Sequence, residues 1–145
     1  MRSLSAPDYQ ETFSRCKLDF SGREKSRHIY DLHTDLLKLR IEDSRFRQQS
    51  SGGIDGAVLG PASLVLRYFS EANDDRLLLV NLKERQGLHP AAEPLLAPPS
   101  GYRWETLWTS ESPQYGGGGA SAIASEKHWL LPAESTVAFR PVLAD

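Results

Sequence analysis

Leu64-Val65-Leu66-Arg67-Tyr68-Phe69-Ser70-Glu71-Ala72-Asn73-Asp74-Asp75-Arg76-Leu77-Leu78-Leu79-Val80-Asn81-Leu82 is the stretch that decides the fold. Leu64 to Phe69 alternates, with Leu64, Leu66 and Tyr68 on one side of a strand and Val65, Arg67 and Phe69 on the other. Asn73-Asp74-Asp75 turns the chain, because short polar side chains hydrogen-bond their own backbone there. Arg76 to Leu82 is then an apolar run of strand length, the pattern of a central strand covered on both faces.

More strands follow outward from this pair. Ile54 to Leu59 precedes it, joined through the turn Gly60-Pro61-Ala62-Ser63. Behind it, Leu88 to Ser100 carries Pro90, Pro94, Pro98 and Pro99, which forbid a helix. Arg103 to Ser110 reads as a strand with Trp104, Thr106 and Trp108 on one face. Gly116 to Gly119 reads as a loop, and His128 to Leu131 and Ser135 to Pro141 close the chain as strands. About six short strands with turn signals between them predict a mainly β fold, an antiparallel β-sandwich.

Before Gln48-Gln49-Ser50-Ser51-Gly52-Gly53 the pattern is helical instead. The expected organisation is therefore a helical segment over residues 1–48 and a β-sandwich over 49–145. A short helix is expected from Gln10 to Cys16. A longer one runs to about Arg40, opened by the capping-box pattern Ser21-Gly22-Arg23-Glu24. Along it, Ile29, Leu32, Leu36 and Leu39 form one stripe, and Tyr30, Leu37 and Ile41 point elsewhere. Together they span an arc of roughly 200°, where an edge helix needs about 100°. Two covers are therefore expected, the second being either the short first helix or a separate domain.

Composition bounds the rest. Among 145 residues, 17 Lys and Arg against 19 Asp and Glu give a net charge of −2, which argues against nucleic acid or an anionic membrane as partner. A single cysteine, Cys16, excludes an internal disulfide and fits a reducing, cytoplasmic setting. The N-terminus MRSLSAPDYQ has no secretory h-region, and no run is long enough to span a membrane. No catalytic, metal or cofactor-binding set emerges. His28 and His33 are five apart, about 140° around a helix, so they cannot chelate one ion. There is no G-x-S-x-G, and Gly116 to Gly119 lacks the Lys-Ser/Thr of a phosphate loop. The acidic pairs Glu42-Asp43 and Asp74-Asp75 read as solvated turn charges. Cys16 reads as structural. Trp104 and Trp108 are the only candidate ligand contacts, either as core residues or as a platform for stacking a sugar ring.

Seven phrases taken together resemble a known family. They include Glu11-Thr12-Phe13-Ser14-Arg15-Cys16-Lys17-Leu18-Asp19, Leu32-His33-Thr34-Asp35-Leu36-Leu37-Lys38-Leu39-Arg40, Asp55-Gly56-Ala57-Val58-Leu59-Gly60, and Asp75 to Leu82. The others are Glu93-Pro94-Leu95-Leu96-Ala97-Pro98-Pro99, Trp104-Glu105-Thr106-Leu107-Trp108-Thr109-Ser110-Glu111, and Pro113-Gln114-Tyr115 with the glycines after it. In order and spacing they resemble the C-terminal end of malto-oligosyltrehalose trehalohydrolases, glycoside hydrolases of the α-amylase superfamily. The resemblance implies that the chain up to about Arg40 is the last helix of a (β/α)8 barrel and the rest the C-terminal β domain. It implies a role in trehalose biosynthesis from malto-oligosaccharides. It also implies that the catalytic carboxylates lie on barrel strands upstream of these residues, so that none is inherited here. The chain alone is then expected not to be an enzyme and to need no cofactor. Its expected partners are the catalytic barrel, in cis or in trans, and malto-oligosaccharide. The alternative is a stand-alone maltodextrin-binding or protein-interaction module.

Overall fold

The computed structural model describes residues 8–48, 53–119 and 128–144, and the backbone of 123–124. Among these described residues four α-helices lie before residue 48 and the strands after residue 53: α1 (Gln10–Arg15), α2 (Gly22–Lys25), α3 (Arg27–Glu42) and α4 (Ser44–Arg47), then β1 (Ile54–Gly60), β2 (Ser63–Tyr68), β3 (Arg76–Asn81), β4 (Gln86–Leu88), β5 (Tyr102–Thr109), β6 (Ile123–Ala124), β7 (Trp129–Leu131) and β8 (Ser135–Leu143). Two antiparallel sheets result, one of five strands in the order β1-β2-β3-β8-β5 and one of three in the order β4-β7-β6. The fold is mainly β and sandwich-like, as the strand pattern predicts.

The period of two in β2 and β3 decides which side chains meet. Val65, Leu77, Leu79, Val137 and Phe139 leave the inner face of the large sheet and pack against Trp129 and Leu131 of the small one. Trp129 meets Phe139 edge-to-face with ring centroids 5.6 Å apart, the geometry preferred by ring quadrupoles. Asn81 closes one end of this core. Its side-chain amide donates to the carbonyls of Glu84 and Pro132, at 2.8 and 2.7 Å, so the two connections are tied to one strand end.

The Pro-rich connector is pinned from beneath. Arg67 sits on the inner face, pairs with Asp75 (Nε to Oδ2, 2.9 Å), and donates to the carbonyls of Ala97 (2.6 Å) and Leu95 (3.2 Å). This buried cation thus satisfies backbone acceptors that a proline-rich segment cannot pair in a ladder. Trp104 does the same, its indole N–H donating to the Leu96 carbonyl at 2.8 Å.

Two helical expectations change in detail. Ser21 does not form the capping box. Its backbone N–H and its hydroxyl both donate to Asp19 instead, and Asp19 is held below the usual carboxylate range, first by the backbone bond from Ser21 and then by its hydroxyl. The long helix is also interrupted: Ser26 adopts φ −118°, ψ 41°, outside the helical region, and separates α2 from α3. A serine side chain offers the backbone competing local bonds, which makes it a natural break point.

Candidate functional site: a docking face and an aromatic cleft

The helices lie against the outer face of the large sheet, fixed at three points. Asp43 precedes α4 and uses one carboxylate oxygen to accept from the backbone N–H groups of Arg45 (2.9 Å) and Phe46 (3.3 Å), an N-cap bond. Its other oxygen accepts from Arg76 Nε at 2.7 Å. Phe46 packs edge-on against Tyr68, centroids 5.0 Å apart. Further along, Asp35 of α3 accepts from the Tyr115 hydroxyl at 2.7 Å and from Gln114 Nε2 at 3.2 Å, and Trp108 Nε1 donates to the same tyrosine oxygen at 3.1 Å.

Charges at these points follow their surroundings. Burial works to lower the pKa of Arg76, but hydrogen bonds to Asp74 and Asp43 and their charges outweigh it, and the net shift is upward. Asp35 is held below the ordinary carboxylate value, chiefly by the Tyr115 hydroxyl. Tyr115 is raised, first by burial and then by its bond to Asp35. Asp43 and Asp75 are therefore not solvated turn charges. Their side chains are only 9% and 5% exposed, because each meets a buried arginine. The arginines at positions 67 and 76 give no distinguishing signal in sequence, where they read as ordinary strand residues.

The other side of α3 is bare. At 100° per residue, Leu32, Asp35 and Leu39 fall on the side toward the sheet, while Tyr30, Leu37 and Ile41 fall within about 40° of one another on the opposite side. These three are 43%, 60% and 63% exposed. Ile29 and Leu36 on the flank are exposed as well, as are Phe13, Leu18 and Phe20 before α3. The Arg23 guanidinium lies 5.4 Å from the Tyr30 ring. Of the two expected covers, the sheet supplies one, and the short first helix does not supply the other.

Trp104 and Trp108 are not brought onto one face. In β5, Thr106 opposes Phe139 but Trp108 opposes Ala138, so Leu107 is an extra residue in a β-bulge. Directly opposed residues share a face. Trp104 therefore stays with the inner face and is 8% exposed, whereas Trp108 turns to the outer face beneath Tyr115. The bulge breaks the strict alternation on which a shared platform depends.

Trp104 instead borders a half-open cleft of about 710 Å³ between residues 91–98 and the start of β5. Tyr102, Trp104 and Trp129 are its aromatic lining residues, Ala91, Ala92, Pro94 and Leu96 its apolar wall, and Glu93 and Arg103 its charged ones. Among the described residues no group of three or more His, Cys, Asp or Glu side chains is placed to hold a metal. No helix among them is long and apolar enough to cross a membrane.

Fold and surface together define a class: a small antiparallel β-sandwich led by helices whose outer side is apolar and exposed. The chain belongs to the family described as Domain of unknown function (DUF3459), whose model matches residues 51–138. No curated protein is detectably similar to it in sequence. Among solved structures it is similar to an α-amylase from H. orenii, at TM-score 0.58 and 16% identity over 92% of this chain and 24% of that one. Eubacterium rectale Amy13B gives TM-score 0.57 and 11% identity over 86% and 22%. The MutB D200A mutant in complex with glucose gives 0.50 and 18% over 79% and 18%. The chain thus spans less than a quarter of the length of each, and at these identities the likeness is one of fold.

Proposed function

We propose that this chain is a non-catalytic accessory domain of an α-amylase-superfamily glycoside hydrolase, of the malto-oligosyltrehalose trehalohydrolase kind. In this reading residues 1–48 are the helical end of a (β/α)8 barrel and residues 49–145 the β-sandwich domain that follows it. The barrel is carried in the same polypeptide or supplied by another. The domain steadies that barrel and leaves the chemistry to it, in a cytoplasmic enzyme of trehalose formation. One observation carries the reading: α3 is tied to the sandwich through Asp35, which accepts from Tyr115 and Gln114, and leaves Tyr30, Leu37 and Ile41 exposed on its opposite side. A terminal barrel helix needs two such faces. Exposed contiguous apolar surface of this kind marks an interaction site, and the fold shared with part of an α-amylase supports a barrel as its partner.

Mixing is the test. Added to a barrel-only trehalohydrolase, the chain raises the Tm of the barrel and its retained activity after heating. Alone, it releases no trehalose from malto-oligosyltrehalose, because a glycosidase of this class needs two carboxyl groups flanking the scissile bond. No effect on the barrel, or trehalose released by the chain alone, contradicts the proposal.

A further inference from the structure

We propose that His89 and His128 form a two-imidazole binding site for a zinc-like divalent transition-metal ion, on the outer side of the small sheet. The site is independent of the docking role and uses side chains that role leaves idle. Strand register builds it. β4 and β7 are antiparallel, with Gln86 opposite Leu131 and Leu88 opposite Trp129. One step further along that register sets His89 opposite His128, and directly opposed residues share a face. Trp129 lies in the core and Leu88 packs against it. Alternation therefore turns both histidines outward, and both are exposed.

The two rings meet at a chelating separation. Their centroids are 5.7 Å apart and their planes are inclined by 41°. A zinc–nitrogen bond of about 2.0 Å, with the nitrogen about 1.2 Å from its ring centre, puts each centroid about 3.2 Å from a shared ion; two imidazoles at a tetrahedral angle then have centroids about 5.3 Å apart. The observed separation differs from this by a few tenths of an ångström, which a small side-chain rotation closes. Each imidazole gives one nitrogen to the ion and can keep a hydrogen bond on the other, the usual state of a metal-bound histidine. Because the neighbouring residues are fixed in the core, the rings are brought together before the ion arrives, which reduces the ordering cost of chelation. Imidazole suits zinc, copper and nickel, whereas calcium and magnesium seek oxygen ligands. Two protein nitrogens fill half of a tetrahedral shell, and water completes it.

The remaining histidines make the test internal. The full chain carries Cys16→Ser, which removes an exposed thiol that would compete for the metal. Zinc titrated into it shifts the imidazole resonances of His89 and His128 together, at one ion per chain, and leaves His28 and His33 unmoved. Because the ion binds the folded chain, Tm rises with zinc concentration. His89→Ala and His128→Ala each leave a single imidazole and weaken zinc binding roughly tenfold or more, since the second ligand no longer acts at high effective concentration. Both positions are exposed, so each variant keeps the metal-free Tm, and His28→Ala/His33→Ala binds zinc as the Cys16→Ser chain does. Unmoved His89 and His128 resonances overturn the proposal, as does either alanine variant binding as tightly as the Cys16→Ser chain. So do the same shifts produced by calcium, or an end point of one ion per two chains with dimer formation. The resonance measurement involves no histidine substitution and decides the matter even where an alanine variant fails to fold.

Discussion

Asp43 is where the helices and the sheet share a charge. One carboxylate caps α4 and neutralises the buried Arg76. Asp74 still pairs with Arg76 when Asp43 is removed, so the loss is that of the cap and of one charge-assisted hydrogen bond, about 2 kcal/mol. Asp43→Ala should therefore lower the unfolding free energy by about that amount in urea, and Asp43→Asn by less, because the amide still caps. A loss below about 1 kcal/mol would mean that the pair contributes little. The Asp35–Tyr115 bond adds a pH dependence at the other end. Asp35 has a depressed folded pKa, so its contribution is present above the unfolded carboxylate value, about 3.9, and is lost as pH falls through the lower folded value. Tyr115 has a raised folded pKa, so its contribution is present below the unfolded phenol value, about 10, and is lost as pH rises through the higher folded one. Trp108 fluorescence, reporting the tyrosine beside it, should change at both limits and stay flat between them. In Tyr115→Phe the alkaline change should vanish. These partners are not legible in sequence: Asp43 and Arg76 lie 33 positions apart and Asp35 and Tyr115 lie 80 apart, and an acidic pair before a turn looks the same whether or not a distant arginine meets it.

At the scale of elements, period and punctuation carry most of the fold. The alternation of Leu64 to Phe69, the apolar run from Leu77 and the prolines after Leu88 locate β2, β3 and the connector within a residue or so. What alternation cannot show is a break in itself. The bulge at Leu107 sends Trp108 to the outer face, and no residue type in Trp104-Glu105-Thr106-Leu107-Trp108 announces it. Deleting Leu107 restores strict alternation and forces Trp108 toward the core. The variant should lose the Trp108–Tyr115 bond and unfold at lower denaturant, and a variant as stable as the parent would show that the bulge is incidental. The glycine loop has a local reason too. Gly116 has φ +82°, a conformation that favours glycine, and a Cβ added at Gly117 would collide with the backbone of Glu111. Those glycines close a turn behind Tyr115 and hold it toward Asp35.

At the scale of the molecule, helices, large sheet and small sheet form three layers, and the outermost is covered on one side alone. That asymmetry was readable in the sequence, because an apolar arc of roughly 200° exceeds what one neighbour covers. The identity of the second neighbour was not, since an apolar face specifies area and not partner. The most direct measurement is the affinity of the chain for a trehalohydrolase barrel, by sedimentation velocity or calorimetry, for the parent and for Leu37→Asp/Ile41→Asp. Both side chains are already exposed, so the double variant should keep the Tm of the parent. Losing two apolar contacts at an interface should weaken the complex by roughly 3 kcal/mol or more, over a hundredfold in Kd. A barrel that binds both proteins equally, or neither, would contradict the docking face.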